Sequence, residues 1–513
     1  MKLHSALGLP VLLALCCSAQ SVTAPADARE RVDQIFASFD RPTGPGCAVG
    51  VSVAGEPVLT AAYGMADLEH DVAITPETVF EPGSVTKQFT AAAVLLLAQQ
   101  GKLSLDDPVR KYIPEVPDYG TPVTIRHLLN HTSGLRDWGS VEGIAGWPRT
   151  TREYTHAHVL EIIARQKSLN YPPGAEYSYT NSGYNLLAML VERVSGKSLP
   201  AFTREQIFLP LGMTSTQWRD DFRRIVPHRA IAYSAAKGGG FRQDMPFEDV
   251  FGNGGLLTTV GDLLRWNQNF TTMKVGGREF VDRQHERGRL TDGRTIAYAA
   301  GLMVLHWRGL HEVSHSGSTA GYSAWLGRYP DQKLSVAVLC NLAAVNATRL
   351  GRQVADVYLP GEGKEAVTAQ TPVPGLYRSV RDHLTMTIPR PEPAGEGRGT
   401  DGWPRFQFEG SRMRVLTEGD EGNWYERVEP WNPAAAELAR FVGEYTSDEA
   451  EATFRVVLED GRLVMHRRPD GVFPLTPTYR DGFSCALGSV RFLGEEMSLG
   501  ESRVWDLRFR KVK

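Results

Sequence analysis

The pattern of apolar and polar positions changes character along the chain. Residues 27–39 place apolar side chains at helical spacing, so an amphipathic helix is expected there. Two apolar runs follow, 46–53 and 58–63, and the Gly55-Glu56-Pro57 segment between them reads as the turn of a β-hairpin. The run AAAVLLLA within 90–99 is too short to cross a bilayer and reads as a helix buried on all sides. A further strand, Leu334–Cys340, arrives only after a long helical middle. An early strand pair, a helical insertion and late strands predict a sheet completed by both ends, an α+β or mixed α/β architecture.

Residues 359–374 break this pattern. They are rich in Pro and Gly, lack periodicity and read as a linker. Beyond them come short alternating segments at 384–388, 405–408, 454–458, 462–466 and 504–509, which predict an antiparallel β-sandwich or barrel over 375–513. Gly375-x-Tyr377-x-Ser379 recurs as Gly443-x-Tyr445-x-Ser447, suggesting two related halves, 375–436 and 437–513. Residues 391–404 read as a flexible loop within this region.

Composition narrows the class. With 42% apolar and 22% charged residues in 513, the chain is neither disordered, collagen-like nor a coiled coil. A net charge of −3 offers no broad footprint for nucleic acid. Lys2, a short apolar stretch at 6–15 and the small residues Cys17-Ser18-Ala19 predict an export signal over 1–19, hence a periplasmic or secreted protein. Cys16 and Cys17 raise lipidation as an alternative, which Leu15 in the preceding position disfavours. Cys47 and Cys340 sit in apolar, strand-like runs and are expected to be buried thiols rather than a bridge or metal pair. His156 and His158 are the only closely spaced histidines; two residues apart on a helix they diverge, and are read as solvated.

Three short motifs carry chemistry. Ser84-Val85-Thr86-Lys87 follows Pro82-Gly83 and opens the buried helix, which sets Ser84 at the positive helix end and Lys87 on the same face. A desolvated lysine beside a serine hydroxyl can activate it as a nucleophile. Tyr179-Thr180-Asn181 lies on the approach to an amphipathic helix over 186–194, after the Pro172-Pro173-Gly174 turn. His315-Ser316-Gly317 precedes the late strands, where Gly317 would let a ligand approach the backbone.

In this order the motifs resemble the penicillin-binding-protein and β-lactamase-like serine hydrolases, nearest the class C branch. Ser-x-x-Lys opens their active-site helix. The surrounding blocks PGSVTKQFTAAAVLLLAQQGKLSLDDPV, IRHLLNHTSGL, YPPGAEYSYTNSGYNLLAMLVE, GNGGLLTTVGDLLRW and HSGSTAGYSAWLGRYP are similar to that family as well. The resemblance extends over about residues 28–350 and implies a hydrolase domain at 25–358. The tail resembles, more loosely, the lipocalin-like domains of D-aminopeptidase-type members.

The resemblance implies Ser84 as the acylated nucleophile and Lys87 with Tyr179 as the proton-handling pair, Tyr179 serving as base during attack and as acid toward the leaving group. Asn181 would orient Lys87 and the substrate carbonyl. His315, Gly317 and Ser318 would line the substrate, with the Ser84 and Ser318 N–H groups forming the oxyanion hole. No cofactor or metal is expected, and the partner is a small molecule or short peptide. His127, His131, Ser133, Gly134 and the Asn253-Gly254-Gly255 turn are read as scaffold.

One departure changes the expected substrate. Class C enzymes carry Lys-[Thr/Ser]-Gly at the third motif, and this chain has none. A histidine of ordinary pKa, about 6.5, is largely neutral at pH 7, so a permanent cation for a β-lactam or C-terminal D-Ala carboxylate is lost at this motif. The expectation is therefore a D-aminopeptidase- or esterase-like hydrolase. A β-lactamase or D,D-carboxypeptidase is the rival within the class, and a non-catalytic binding protein on the same fold is the rival outside it.

Overall fold

The computed structural model describes residues 22–149, 151–359, 373–389, 405–417 and 420–512. The expected export signal, the loop at 391–404 and most of the expected linker lie outside them. The first body is built on a six-stranded antiparallel sheet. Helix α1 (Ala28–Phe36) precedes β1 (Cys47–Val53) and β2 (Glu56–Tyr63); the late strands are β3 (Met303–Trp307), β4 (Leu310–Thr319), β5 (Tyr322–Tyr329) and β6 (Leu334–Cys340). Their order, β2-β1-β6-β5-β4-β3, makes the sheet from both ends of the segment, as its apolar pattern predicts.

The central strand β5 is buried at every position, which requires cover on both faces. On one side lie α1 and α5 (Ala347–Tyr358), whose Val32, Phe36 and Val354 pack on Val49, Val51 and Trp325. On the other lie α2 (Lys87–Gln99) and α4 (Val260–Thr272), with α3 (Asn181–Ser195) completing the helical half. Helix α2 is Ala- and Leu-rich, so it combines strong helix propensity with burial of every residue from Lys87 to Leu97.

Two readings from sequence are corrected. Cys47 and Cys340 face each other across β1 and β6 and form a disulfide. Judging each cysteine within its own strand hid the fact that the two strands are neighbours. His156 and His158 are only half exposed: the first bonds the backbone of Phe251, and the second closes a capping box with Thr155.

The tail forms two antiparallel sheets. The first contains Gly375–Ser379, Thr385–Ile388, Arg405–Glu409, Arg412–Thr417 and Asp420–Val428. The second has nine strands and is a nearly closed barrel, because its two outermost strands, Gly471–Pro474 and Thr476–Pro477, are consecutive in the chain. The recurring Gly-x-Tyr-x-Ser segments open the first strand of each sheet. In both, the tyrosine is buried and its hydroxyl donates to the carbonyl four residues earlier, Tyr377 to Val373 and Tyr445 to Phe441.

Candidate active site

Gly83–Thr86 is a single 3-10 turn that runs straight into α2. It begins at Gly83, whose φ of +51° admits no ordinary side chain, and a Cβ there would lie 2.5 Å from the Ser318 nitrogen. On β4, a Cβ at Gly317 would lie 1.9 Å from the Pro82 carbonyl oxygen and 2.8 Å from the Ser84 nitrogen. Glycine at both positions thus lets β4 press against the turn and brings the Ser84 and Ser318 amides together. Ser84, at the start of a helical turn, has no intrahelical acceptor for its N–H.

Lys87 is completely buried. Its Nζ lies 3.1 Å from Ser84 Oγ, 3.0 Å from Asn181 Oδ1 and 2.7 Å from the Asn253 carbonyl oxygen. The Tyr179 ring is 4.8 Å from the same nitrogen. Burial holds Lys87 well below the ordinary lysine range; the charge of Arg503 adds to this, and Asp137 opposes it. The two carbonyl oxygens can only accept, so in the neutral amine they engage two N–H bonds and leave the lone pair toward the Ser84 hydroxyl.

Asn181 is not on a loop, as sequence predicts, but is the first residue of α3. Thr180 caps the helix by accepting from Ser182 N, which starts α3 five residues earlier than its apolar period. The buried Asp137 accepts from Asn181 N at 2.6 Å and so fixes the helix start against the site. Tyr179 is pushed above its ordinary range, chiefly by burial, which the nearby Ser84 hydroxyl opposes; among the described residues its hydroxyl has no partner at full hydrogen-bond geometry. The group is therefore a phenol at neutral pH.

His315 is buried and locked. Its Nδ1–H donates to the Ser316 carbonyl at 2.5 Å, so Nε2 is the acceptor for the Tyr298 hydroxyl at 2.9 Å. Burial, and then the proximity of Lys87, push its pKa down to about 3. Ser84, Tyr179, Asn181, His315, Gly317 and Ser318 all line one cavity of about 660 Å³, and the buried Lys87 bonds to two of them, Ser84 and Asn181.

Two residues read from sequence as scaffold, His131 and Asn253, also border this site, and two that sequence did not single out, Glu81 and Arg503, join them. The His131 ring packs against that of Tyr179, centres 4.1 Å apart, and its Nδ1 accepts from Thr180 N at 3.2 Å, so it supports the tyrosine as well as packing a turn. Asn253 supplies a carbonyl to Lys87, which no side-chain motif announces. Behind it, Glu81 is buried, pairs with Arg219 at 2.9 Å and accepts from Gly255 N at 3.2 Å. Arg503, from the barrel, also lines the cavity. Its segment carries no recognisable motif, and only docking of the barrel brings it there.

The sequence model of the Beta-lactamase family matches residues 32–359, the segment that holds every one of these motifs. The chain belongs to that family. This family member is similar to the D-aminopeptidase of Brucella melitensis biotype 2, with 29% identity over 441 residues covering 82% of each chain. It is also similar to penicillin-binding protein 4* of Bacillus subtilis, with 30% identity over 300 residues, 55% of this chain and 64% of the other. Among solved structures, the octameric penicillin-binding protein homologue from Pyrococcus abyssi superposes with a TM-score of 0.57 at 22% identity, covering 87% of this chain and 99% of that one. The protein is a serine hydrolase of the family.

Proposed function

We propose that the chain is an exported hydrolase that cleaves a small amide or ester through an acyl-enzyme on Ser84, with peptides containing D-residues as the favoured substrates. The observation that carries the reading is the buried Lys87, held by two carbonyl oxygens with its remaining valence toward Ser84 Oγ at 3.1 Å. Similarity to D-aminopeptidases along most of both chains supports the substrate class.

In this mechanism neutral Lys87 takes the Ser84 proton as Oγ attacks the carbonyl carbon. The Ser84 and Ser318 amides hold the oxyanion, each such donor contributing about 3 kcal/mol to the transition state. Tyr179, a phenol at neutral pH, gives its proton to the departing amine or alkoxide and recovers one from the Lys87 ammonium. Water then attacks the acyl-Ser84 ester, loses a proton to the same pair, and Ser84 leaves with a proton restored. The base during attack is thus Lys87 rather than Tyr179, because burial moves the two pKa values in opposite directions.

Intact-mass measurement after incubation with a fluorophosphonate tests the reading. One adduct on the wild type and none on Ser84→Ala is the expected result. Labelling that survives Ser84→Ala would show the nucleophile to be another residue. Similarity to penicillin-binding protein 4* favours D,D-carboxypeptidase or β-lactamase activity as the second reading, and efficient nitrocefin turnover would promote it.

A further inference from the structure

The cavity above Ser84 is lined by two arginines, Arg149 and Arg503, and, among the described residues, by no carboxylate. Arg149 is already neutralised, since it pairs with the buried Glu248 and stacks on Trp138. The buried Asp137, whose charge reaches Lys87, accepts from the Asn181 and Ser140 amides and is not among the residues that line the cavity. His315 is neutral and tied to Tyr298. Arg503 differs from all of these: its guanidinium has no ion-pair partner among the described residues, and it lies 5.2 Å from the centre of the Tyr179 ring.

The backbone carrying Arg503 is held firmly. It sits in the turn between the barrel strands Glu496–Glu501 and Val504–Lys511. Asn170 clamps that turn, donating from Nδ2 to the Arg503 carbonyl at 3.0 Å and accepting at Oδ1 from Trp505 N at 2.8 Å. The Glu501 carboxylate accepts from Arg503 N and from the Ser502 hydroxyl, so it is engaged within the turn. Trp505 packs against Tyr171 with ring centres 5.0 Å apart and the rings tilted at 43°, anchoring the turn to the hydrolase body. A cation is therefore held beside the proton-donating tyrosine by a built support.

We infer that Arg503 is a substrate-binding residue that recognises a carboxylate, so that the enzyme prefers anionic amides and esters to those presenting a free ammonium group. This rests on the hydrolase reading above and narrows it. A guanidinium can bind a carboxylate through two parallel N–H···O bonds, and a partly desolvated site strengthens them. An ammonium placed in the same cavity would meet an unpaired cation and, among the described residues, no lining carboxylate. The carboxylate would belong either to the acyl part of the substrate or to its leaving group.

The test uses the full chain and reads protection of Ser84 from fluorophosphonate labelling. The competitors are N-acetyl-D-alanine, N-acetyl-D-alaninamide and D-alaninamide, which are anionic, neutral and cationic at pH 7. Wild type should be protected by the anion at the lowest concentration, and Arg503→Ala should raise that half-protecting concentration by about 10- to 100-fold. Arg503→Lys should recover part of the preference. Ratios between competitors are taken within each variant, so a change in basal labelling does not enter. Hydrolysis of succinyl-D-alanyl p-nitroanilide against N-acetyl-D-alanyl-thioglycolate then assigns the carboxylate to the acyl or the leaving side. Equal protection by all three competitors in wild type, or an unchanged preference in Arg503→Ala, would overturn the inference and leave the hydrolase reading intact. Absence of any Ser84 adduct on folded wild type would overturn both.

Discussion

In the proposed mechanism, Lys87 is the residue on which the chemistry turns. Removing its amine while keeping its volume, as in Lys87→Met, should slow Ser84 acylation by about 10²–10⁴-fold, read as the rate of fluorophosphonate labelling. The pH profile carries a second expectation. Lys87 is depressed below the ordinary lysine range, so acylation is lost as pH falls through that lowered value, and the acid limb lies well under 10.5. Arg503 is one cause of the depression, so Arg503→Ala should move the acid limb to higher pH. An acid limb that stays in place would show that the cation does not reach the amine. His315, pushed down to about 3, remains neutral throughout this range and contributes no step near pH 6.5.

At the scale of elements, the site is an agreement between separate segments. The 3-10 turn supplies Ser84, α2 supplies Lys87, the start of α3 supplies Asn181, and β4 closes over them at Gly317. The turn at residues 253–255 is held from behind by Glu81, which also pairs with Arg219. Glu81→Gln leaves Arg219 buried without its counter-charge and should cost about 3–5 kcal/mol in chemical denaturation. A loss below 1 kcal/mol would mean that this buried pair has another partner to fall back on. Asn170 acts on the barrel turn in a similar way, through hydrogen bonds alone. Asn170→Ala should weaken the carboxylate preference while Arg503 keeps its charge, a result that mere destabilisation would not give.

At the scale of the molecule, what sequence could and could not show follows from distance along the chain. Ser84 and Lys87 are one helical turn apart, so their meeting is local and legible. The sheet order was legible in part, because β1 and β6 are both apolar runs that need burial. Their direct adjacency was not, and with it went the disulfide. The same limit hid Asn253, whose contribution is a backbone carbonyl, and Arg503, whose position depends on how the barrel seats against Tyr171 and Asn170. The Cys47–Cys340 bond should contribute about 2–4 kcal/mol. Denaturation with and without reductant measures it, and coincident curves would show that the sheet holds without the bond.

That bond joins residues 293 positions apart, and all three motifs of the candidate site fall between its two ends. A protease cutting once anywhere in the intervening helical half would therefore yield two pieces still tied together. They would migrate as a single species on a non-reducing gel and separate only when reductant is added. A molecule nicked in this way keeps Ser84 and the sheet in one covalent frame.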